Sequence, residues 1–528
     1  MKYIGNKKSG KDLQYRNINE FYAINPRRDI STRWYVLGFF VILFTFYLFA
    51  LSLQRVEDVI VIQLNTRPLV LRDTSTRYLS YGLDTSLLRN MKKLPINDQR
   101  FVMLARHLSP AYVRVGGTSS DCLFFDQTLP STVDKIFDPI TGEDITNFTI
   151  TDKDFLSLSR FAQESGARMI FDLNVLLRRP DGSWNYSDAK KIISLAKAHN
   201  IELDWQLGNE PNSFRHVFNR TVTASQLASD YTVLRKLLDD NGYESSNLIG
   251  PEVNHIGDAN HQGELYGAEF LKRANNSLTY FSWHQYYLNG HIATVEDFIN
   301  PNTFNYLVNQ IHSLSDFIGD YDIRVWLSET SSAWGSGAPN LSDRFVAGFL
   351  WLDKLGYSAW AGVDVVTRQS FFGGHYALVA PDLTPNPDWW VSVIYKQFVS
   401  ERVLGPPHVN NKTLRLYRHC TARSALINRV PTITEYGIQL SNKPMKLAIR
   451  MSNPAAMKSL KFYLYILTAD HLQSRFIKMN NQTLMLQPDG KLPPFNPVIV
   501  DPGEDIELPS YSMYFLIYHG LPIPACEA

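Results

Sequence analysis

Cysteine is scarce: Cys122, Cys420 and Cys526 are the only three in 528 residues. That number excludes a disulfide framework and leaves room for one bridge and one free thiol. Charge of either sign is not in excess, because 52 basic and 51 acidic side chains leave a formal net charge of +1. No global field therefore points to nucleic acid. Metal-ligand spacing such as His-Glu-x-x-His does not occur among the histidines, so neither a catalytic metal nor a cofactor is expected. No phosphate loop appears, and no Gly-rich dinucleotide turn follows the first predicted strand. Cys122 reads as a buried hydrophobe.

One long apolar run is present, from Trp34 to Leu53, without a charge in twenty residues. That length matches a single membrane-spanning helix, about 30 Å at 1.5 Å per residue. Residues 1–33 hold eight Lys/Arg against three acids. By the positive-inside rule they form a cytoplasmic tail, and 34–53 a signal anchor with everything after it lumenal or extracellular. A cleaved signal peptide, with Ala50 and Ser52 before the cut, is the competing reading; the long polar lead favours an uncleaved anchor. Seven Asn-x-Ser/Thr sequons follow the run, at Asn147, Asn185, Asn219, Asn275, Asn340, Asn411 and Asn481, and none precedes it. This one-sidedness agrees with a glycoprotein of the secretory pathway, resident in a lysosome or at the cell surface.

Eight apolar runs follow in order: Tyr78–Asp84, Tyr112–Gly117, Ala167–Asn174, Asp204–Pro211, Leu248–Val253, Phe281–Tyr286, Arg324–Thr330 and Ser358–Val366. Stretches with helical spacing, such as Asp188–His199, Ala224–Asp239 and Asp343–Leu355, separate most of them. The alternation predicts a (β/α)8 TIM barrel over residues 74–399, with a doubly wound open sheet as its rival. From about Ser400 the pattern turns to period two, as in Ile433–Gln439 and Lys461–Thr468, with turn residues between. That predicts a C-terminal antiparallel β-sandwich over 400–528. A strand within residues 54–73 is expected to join it.

Two of the predicted barrel strands carry a glutamate at or near the end: Glu210, after Gly208 and Asn209, and Glu329, before Thr330. A lone Glu there is ordinarily a solvated rim residue. A pair, in aromatic surroundings and on the fourth and seventh strands, faces across a barrel mouth. Two facing carboxyls suit glycosidic bond cleavage, in which one protonates the leaving oxygen and the other attacks or activates water.

Several blocks around these residues resemble the heparanase family of retaining endo-β-glucuronidases. They include Ser109–Thr118, Trp205–Phe214, Trp283–Gly290, Glu329–Gly335 and Trp351–Gly356. The resemblance spans roughly Asp58 to Cys526 and implies Glu210 as acid/base and Glu329 as nucleophile. Beside it, the chemistry places Asn209 at the sugar 2-hydroxyl, where hydrogen bonds strengthen in the transition state, and Tyr286 on the nucleophile or else in the core. Asp84, Thr118, Gly373, Gly374 and Tyr376 match positions that hold the glucuronate and its carboxylate. His284 is expected at the rim or behind the acids, and Trp334 with Gly335 at the cleft as a stacking face. Arg114 and Arg368, at strand ends, are expected at the sugar or orienting the acids. The resemblance also supports a Cys420–Cys526 bridge. The expected partner is heparan sulfate or a related glucuronic acid polymer. The alternatives are an exo-acting glucuronidase and a catalytically silent glycan-binding protein.

Two departures from that family stand out. Only residues 127–156 lie between Asp126 and the next helix, with no basic cleavage run, so a single chain, monomeric and uncleaved, is expected. Where the family carries basic residues after the fourth to sixth strands, this chain has Arg215-His216, His255, His261 and His291. Histidines there would strengthen polyanion binding in acidic compartments; otherwise they are surface residues on polar loops.

Overall fold

The computed structural model describes residues 34–35, 37–45, 59–125, 136–138, 143–407, 409–451 and 460–527. Met1–Asp58 and Val59–Ala528 are separate units. In the first, residues 34–35 and 37–45 are helical. No helix among the described residues is long and apolar enough to cross a membrane. The rest of the expected 34–53 anchor, residues 36 and 46–53, lies outside the described residues, as do the tail 1–33 and, within 127–156, residues 127–135 and 139–142.

The second unit is built around eight parallel strands: β1 (Leu79–Asp84), β2 (Ala111–Gly116), β3 (Ala167–Leu173), β4 (Leu203–Leu207), β5 (Ile249–Val253), β6 (Tyr280–Gln285), β7 (Arg324–Thr330) and β8 (Val363–Arg368). Their order is β4-β3-β2-β1-β8-β7-β6-β5. A parallel bridge between Trp205 and Leu248 brings β4 beside β5 and nearly closes the ring. This is the TIM-barrel arrangement, in which the C-terminal strand ends carry the chemistry. Local signals place the intervening helices. Thr151 and Asp154 form a capping box at the start of Asp152–Ser165, and Gly166 ends that helix at φ 71°, as a left-handed C-terminal residue does.

One expectation fails at the last strand. The predicted Ser358–Val366 strand is displaced, because helix Ala347–Ala361 runs through Ser358 and stops only at Gly362, with φ 104°. The helical spacing of Asp343–Leu355 marks this helix, but every residue from Ala347 to Ala359 is buried, so no polar face shows how far it continues. It touches β8 on one side and strands Leu414–Thr421 and Ile433–Gln439 on the other. Gly356 sits where a Cβ would lie 2.0 Å from the Tyr417 ring.

Beyond Val399 an antiparallel sheet includes Val399–Leu404, Leu414–Thr421, Ile433–Gln439, Ser512–His519 and Lys461–Thr468. Val70–Asp73 pairs with Val399–Leu404, and Val59–Leu64 pairs with Met445–Met451 in a second, three-stranded sheet. Cys420 and Cys526 are disulfide-bonded with Cα atoms 5.4 Å apart, and Cys122 is a buried free thiol.

Candidate active site

Both glutamates emerge at the C-terminal end of the barrel. After β4 the chain leaves the strand through Gly208 at φ 81° and reaches Glu210 at φ 53°, its amide donating to the Glu252 carbonyl at 3.1 Å. This turn delivers Glu210 to the cleft, half-buried. Glu329 lies within β7 and is buried. An oxygen of Glu210, an oxygen of Glu329 and a ring nitrogen of His284 all lie within 4.8 Å of one another.

Arg114, 1 % exposed, is the hub beneath them. Its Nη1 donates to Glu329 Oε2 at 2.7 Å, Nη2 to Asn209 Oδ1 at 2.8 Å, and Nε to Gln206 Oε1 at 2.8 Å. Nη2 also pairs with Glu252 Oε2 at 2.9 Å. Tyr286 donates its hydroxyl to Glu329 Oε1 at 2.8 Å. His284 bridges two acids, Nδ1 to Glu210 Oε1 at 2.9 Å and Nε2 to Glu252 Oε2 at 2.8 Å. Asn209 is fixed from behind as well, its amide donating to the buried Asp121 at 2.9 Å.

Buried charges shift one another across the cluster. Burial opposes ionisation of Glu329, but His284, Arg114 and the Tyr286 hydroxyl outweigh it and lower its pKa. Glu252 is lowered in the same way, against its burial, by Arg114 and His284. Burial also opposes charge on His284, yet Glu329, Glu210 and Glu252 raise it to about 10. A doubly protonated ring has no free nitrogen lone pair. Glu210, His284 and Glu329 are therefore a poor metal donor set despite their spacing.

A wall of residues continues from Glu329. The Tyr286 ring stacks on Tyr376 at 6.5 Å, and Gln369 donates to Asp84 Oδ2 at 2.8 Å. Asp84 is raised by burial and lies against Gly117, where a Cβ would meet its carboxylate at 2.7 Å. Opposite Tyr376, the loops after β7 and β8 are laced together by the His375 amide donating to the Ser336 carbonyl at 2.6 Å.

The N-terminal-domain model of glycosyl hydrolase family 79 matches residues 81–356. The chain belongs to glycosyl hydrolase family 79. It is a glycoside hydrolase. Relatives include mouse heparanase, 33% identical over 89% of this chain and 95% of that protein. Leech (Hirudo nipponia) hyaluronoglucuronidase is 30% identical over 76% and 86%. Mouse inactive heparanase-2 is 30% identical over 88% and 90%. Among solved structures, a Fusarium oxysporum 4-O-α-L-rhamnosyl-β-D-glucuronidase shares the fold with TM-score 0.62 and 15% identity, covering 86% of this chain and 99% of its own.

In this family 79 site the structure gathers Asn209, Glu210, His284, Tyr286, Glu329, Tyr376 and Asp84 through the contacts above. Thr118 is adjacent to Gly117, half-buried. Gly373 and Gly374 turn at φ 82° and 73° ahead of Tyr376, and Gly335 at φ 75° follows Trp334. Trp334 is exposed, its carbonyl held by the Gly290 amide at 3.0 Å.

The other expected residues lie apart from the two glutamates or behind them. Arg368 does not face sugar: it is buried, pairs with Asp388 of helix Pro387–Phe398 at 2.7 Å, and lies over the Trp351 ring. His284 takes the second of its two expected places, fully buried behind Glu210. His216 and His291 are exposed, away from these contacts. His255 lies 2.8 Å from Asp258 of its own loop, and His261 lies 3.5 Å from Glu264 of helix Gln262–Ala274.

Glu252, Gln206, Gln369 and Asp121 are site residues that the sequence does not single out. For Glu252 a signal exists: a carboxylate within the apolar run Leu248–Val253, where only a buried partner makes it tolerable. A cavity of 1080 Å³, lined by Tyr78, Ser109, Lys396 and Arg423 among others, lies at the N-terminal strand ends, opposite the two glutamates.

Proposed function

We propose that this chain is a retaining endo-β-glucuronidase acting on heparan sulfate or a related glucuronic acid polymer, with Glu329 as nucleophile and Glu210 as acid/base. The observation that carries the reading is the asymmetry of two close carboxylates. Glu329 accepts bonds from Arg114 and Tyr286 that favour its anion. Glu210, partly exposed to the cleft, accepts a side-chain bond among the described residues only at Oε1, from His284. Retaining enzymes set these groups about 5–5.5 Å apart, inverting enzymes about 6.5–9.5 Å. Oxygens within 4.8 Å suit retention.

In the first step an oxygen of Glu329 bonds to the anomeric carbon while the glycosidic bond breaks. The Glu210 proton passes to the departing sugar oxygen. In the second step Glu210, now a carboxylate, takes a proton from water. The hydroxide oxygen displaces Glu329, restoring both groups with overall retention. Asn209, fixed by Arg114 and Asp121, is placed for the 2-hydroxyl.

Similarity to heparanase and hyaluronoglucuronidase supports the polymer class. The basic-flanked apolar run and the sequons beyond it support a type II membrane protein with the barrel outside the cytoplasm. Of these sequons Asn219, Asn340 and Asn481 are exposed. A mobility shift on deglycosylation, and membrane retention after carbonate washing, test that placement.

The functional test is digestion of end-labelled heparan sulfate by the full chain beside Glu329→Gln. Internal shortening with the wild type alone is expected. Release of single terminal residues means exo action. Tight binding by both proteins without cleavage makes this a silent glycan-binding protein.

A further inference from the structure

Behind the two catalytic carboxylates lies a third, Glu252, which touches neither the cleft nor sugar. It is fully buried on β5 at φ 62°, a left-handed backbone that a non-glycine residue adopts at a cost. Its amide donates to Ser282 Oγ at 3.1 Å. Oε1 accepts from Gln206 at 2.7 Å, while Oε2 meets both Arg114 Nη2 at 2.9 Å and His284 Nε2 at 2.8 Å. A ring of contacts thus runs Glu210–His284–Glu252–Arg114–Glu329 and joins the proton donor to the nucleophile from the rear. We propose that Glu252 is a positioning residue that keeps His284 doubly protonated and couples the ionisation of Glu210 to that of Glu329.

The reasoning is one of geometry and charge. With both His284 nitrogens aimed at carboxylate oxygens, only the imidazolium satisfies all contacts, since each neutral tautomer turns a lone pair toward one oxygen. Arg114 and His284 supply two positive charges, and Glu252 and Glu329 balance them. Adding a proton to Glu210 leaves this set neutral, and removing it adds one negative charge beside the His284 cation. Ionised Glu210 is therefore tolerated when it acts as base in the second step. The other groups facing Glu252 are Asp172, whose Oδ2 lies 3.9 Å from Arg114 Nη2, and the buried Tyr231 hydroxyl. Burial pushes the Asp172 carboxyl well up, with Arg114 opposing.

The inference rests on the roles given to Glu210 and Glu329 above, but its test is separable from theirs. In full-length protein with labelled histidine, the His284 signal is assigned by its loss in His284→Asn. It should show an imidazolium at pH 8 without any substrate. In Glu252→Gln the side-chain amide presents an N–H to Nε2, and the His284 midpoint should fall by roughly one to three pH units. Removing one negative charge also favours the anions of Glu210 and Glu329. Both limbs of the kcat/KM profile should therefore move together toward lower pH, by several tenths of a unit or more. Glu252→Asp, which retains the charge, should return the limbs toward wild-type positions even if kcat stays low. An unmoved His284 midpoint, or a lower kcat with both limbs fixed, would overturn the proposal. So would a neutral His284 in wild type at pH 8, a result independent of whether any variant folds. Glu329→Gln retaining full cleavage would instead sink the assignment of the nucleophile and leave the His284 result standing.

Discussion

Tyr286→Phe removes one oxygen from this site and nothing else. The ring keeps its stack on Tyr376, no cavity opens, and Arg114 still pairs with Glu329 at 2.7 Å. What is lost is the 2.8 Å hydrogen bond to Glu329 Oε1. A hydrogen bond to a charged group contributes about 1.5–3 kcal/mol. One pKa unit corresponds to about 1.4 kcal/mol, so the Glu329 pKa should rise by roughly one to two units. The nucleophile must be ionised, and the acid limb of kcat/KM should move to higher pH by that amount. Stability should follow the same group. Because its folded pKa lies below the unfolded value of about 4.3, Glu329 adds stability above that pH and loses it as pH falls through the folded pKa. The variant should therefore be less stable than wild type at pH 7, with the gap closing toward pH 3. A pH series of initial rates on a chromogenic β-glucuronide, beside urea midpoints at both pH values, reads each effect. An acid limb that stays within about 0.3 unit of wild type would refute the claim that Tyr286 holds the nucleophile ionised.

Glu210→Gln should abolish cleavage of unactivated polymer while sparing glycosylation by substrates whose leaving group needs no proton, seen as a burst of released phenolate; equal losses on both substrates would count against its acid role. Arg114→Met strips the shared cation from two buried carboxylates, Glu252 and Glu329, and should destabilise by about 3–5 kcal/mol in denaturant unfolding at pH 7. Joint replacement of Cys420 and Cys526 by Ser opens a link across 106 residues of chain and should cost about 2–5 kcal/mol. That loss should equal the effect of reductant on the wild type, and a variant as stable as oxidised wild type would show that the bridge adds nothing.

Much of the fold can be read locally. The run Arg324–Thr330 is β7 to the residue, and Ile433–Gln439 and Lys461–Thr468 are strands with the limits that their alternation predicts. Helix Ala224–Asp239 has the predicted ends as well. The pattern misleads where both faces are buried. Helix Ala347–Ala361 lies between barrel and sandwich, so the hydrophobic contrast that would mark its end beyond Leu355 is weak. Strand Val399–Leu404 straddles the expected change of pattern at Ser400 and pairs with Leu414–Thr421.

The two glutamates were legible because two carboxylates fall at strand ends that face one another across a barrel mouth, and the resemblance around them is long. Their environment was not. Arg114 and Glu329 are 215 positions apart, and no periodicity links an arginine to its acceptor over that distance. Arg368 looks equivalent to Arg114 in sequence, each being a basic residue on a barrel strand. Orientation separates them, since one points into the barrel toward Glu329 and the other outward to Asp388. The sequence by itself determined the strand-and-helix alternation, the two acids and the residue types beside them, because these follow from local pattern and steric preference. Only the tertiary structure decided which acid is held ionised, where Glu252 enters, and which arginine serves the site. Those outcomes depend on distances among buried charges, and barrel closure sets those distances.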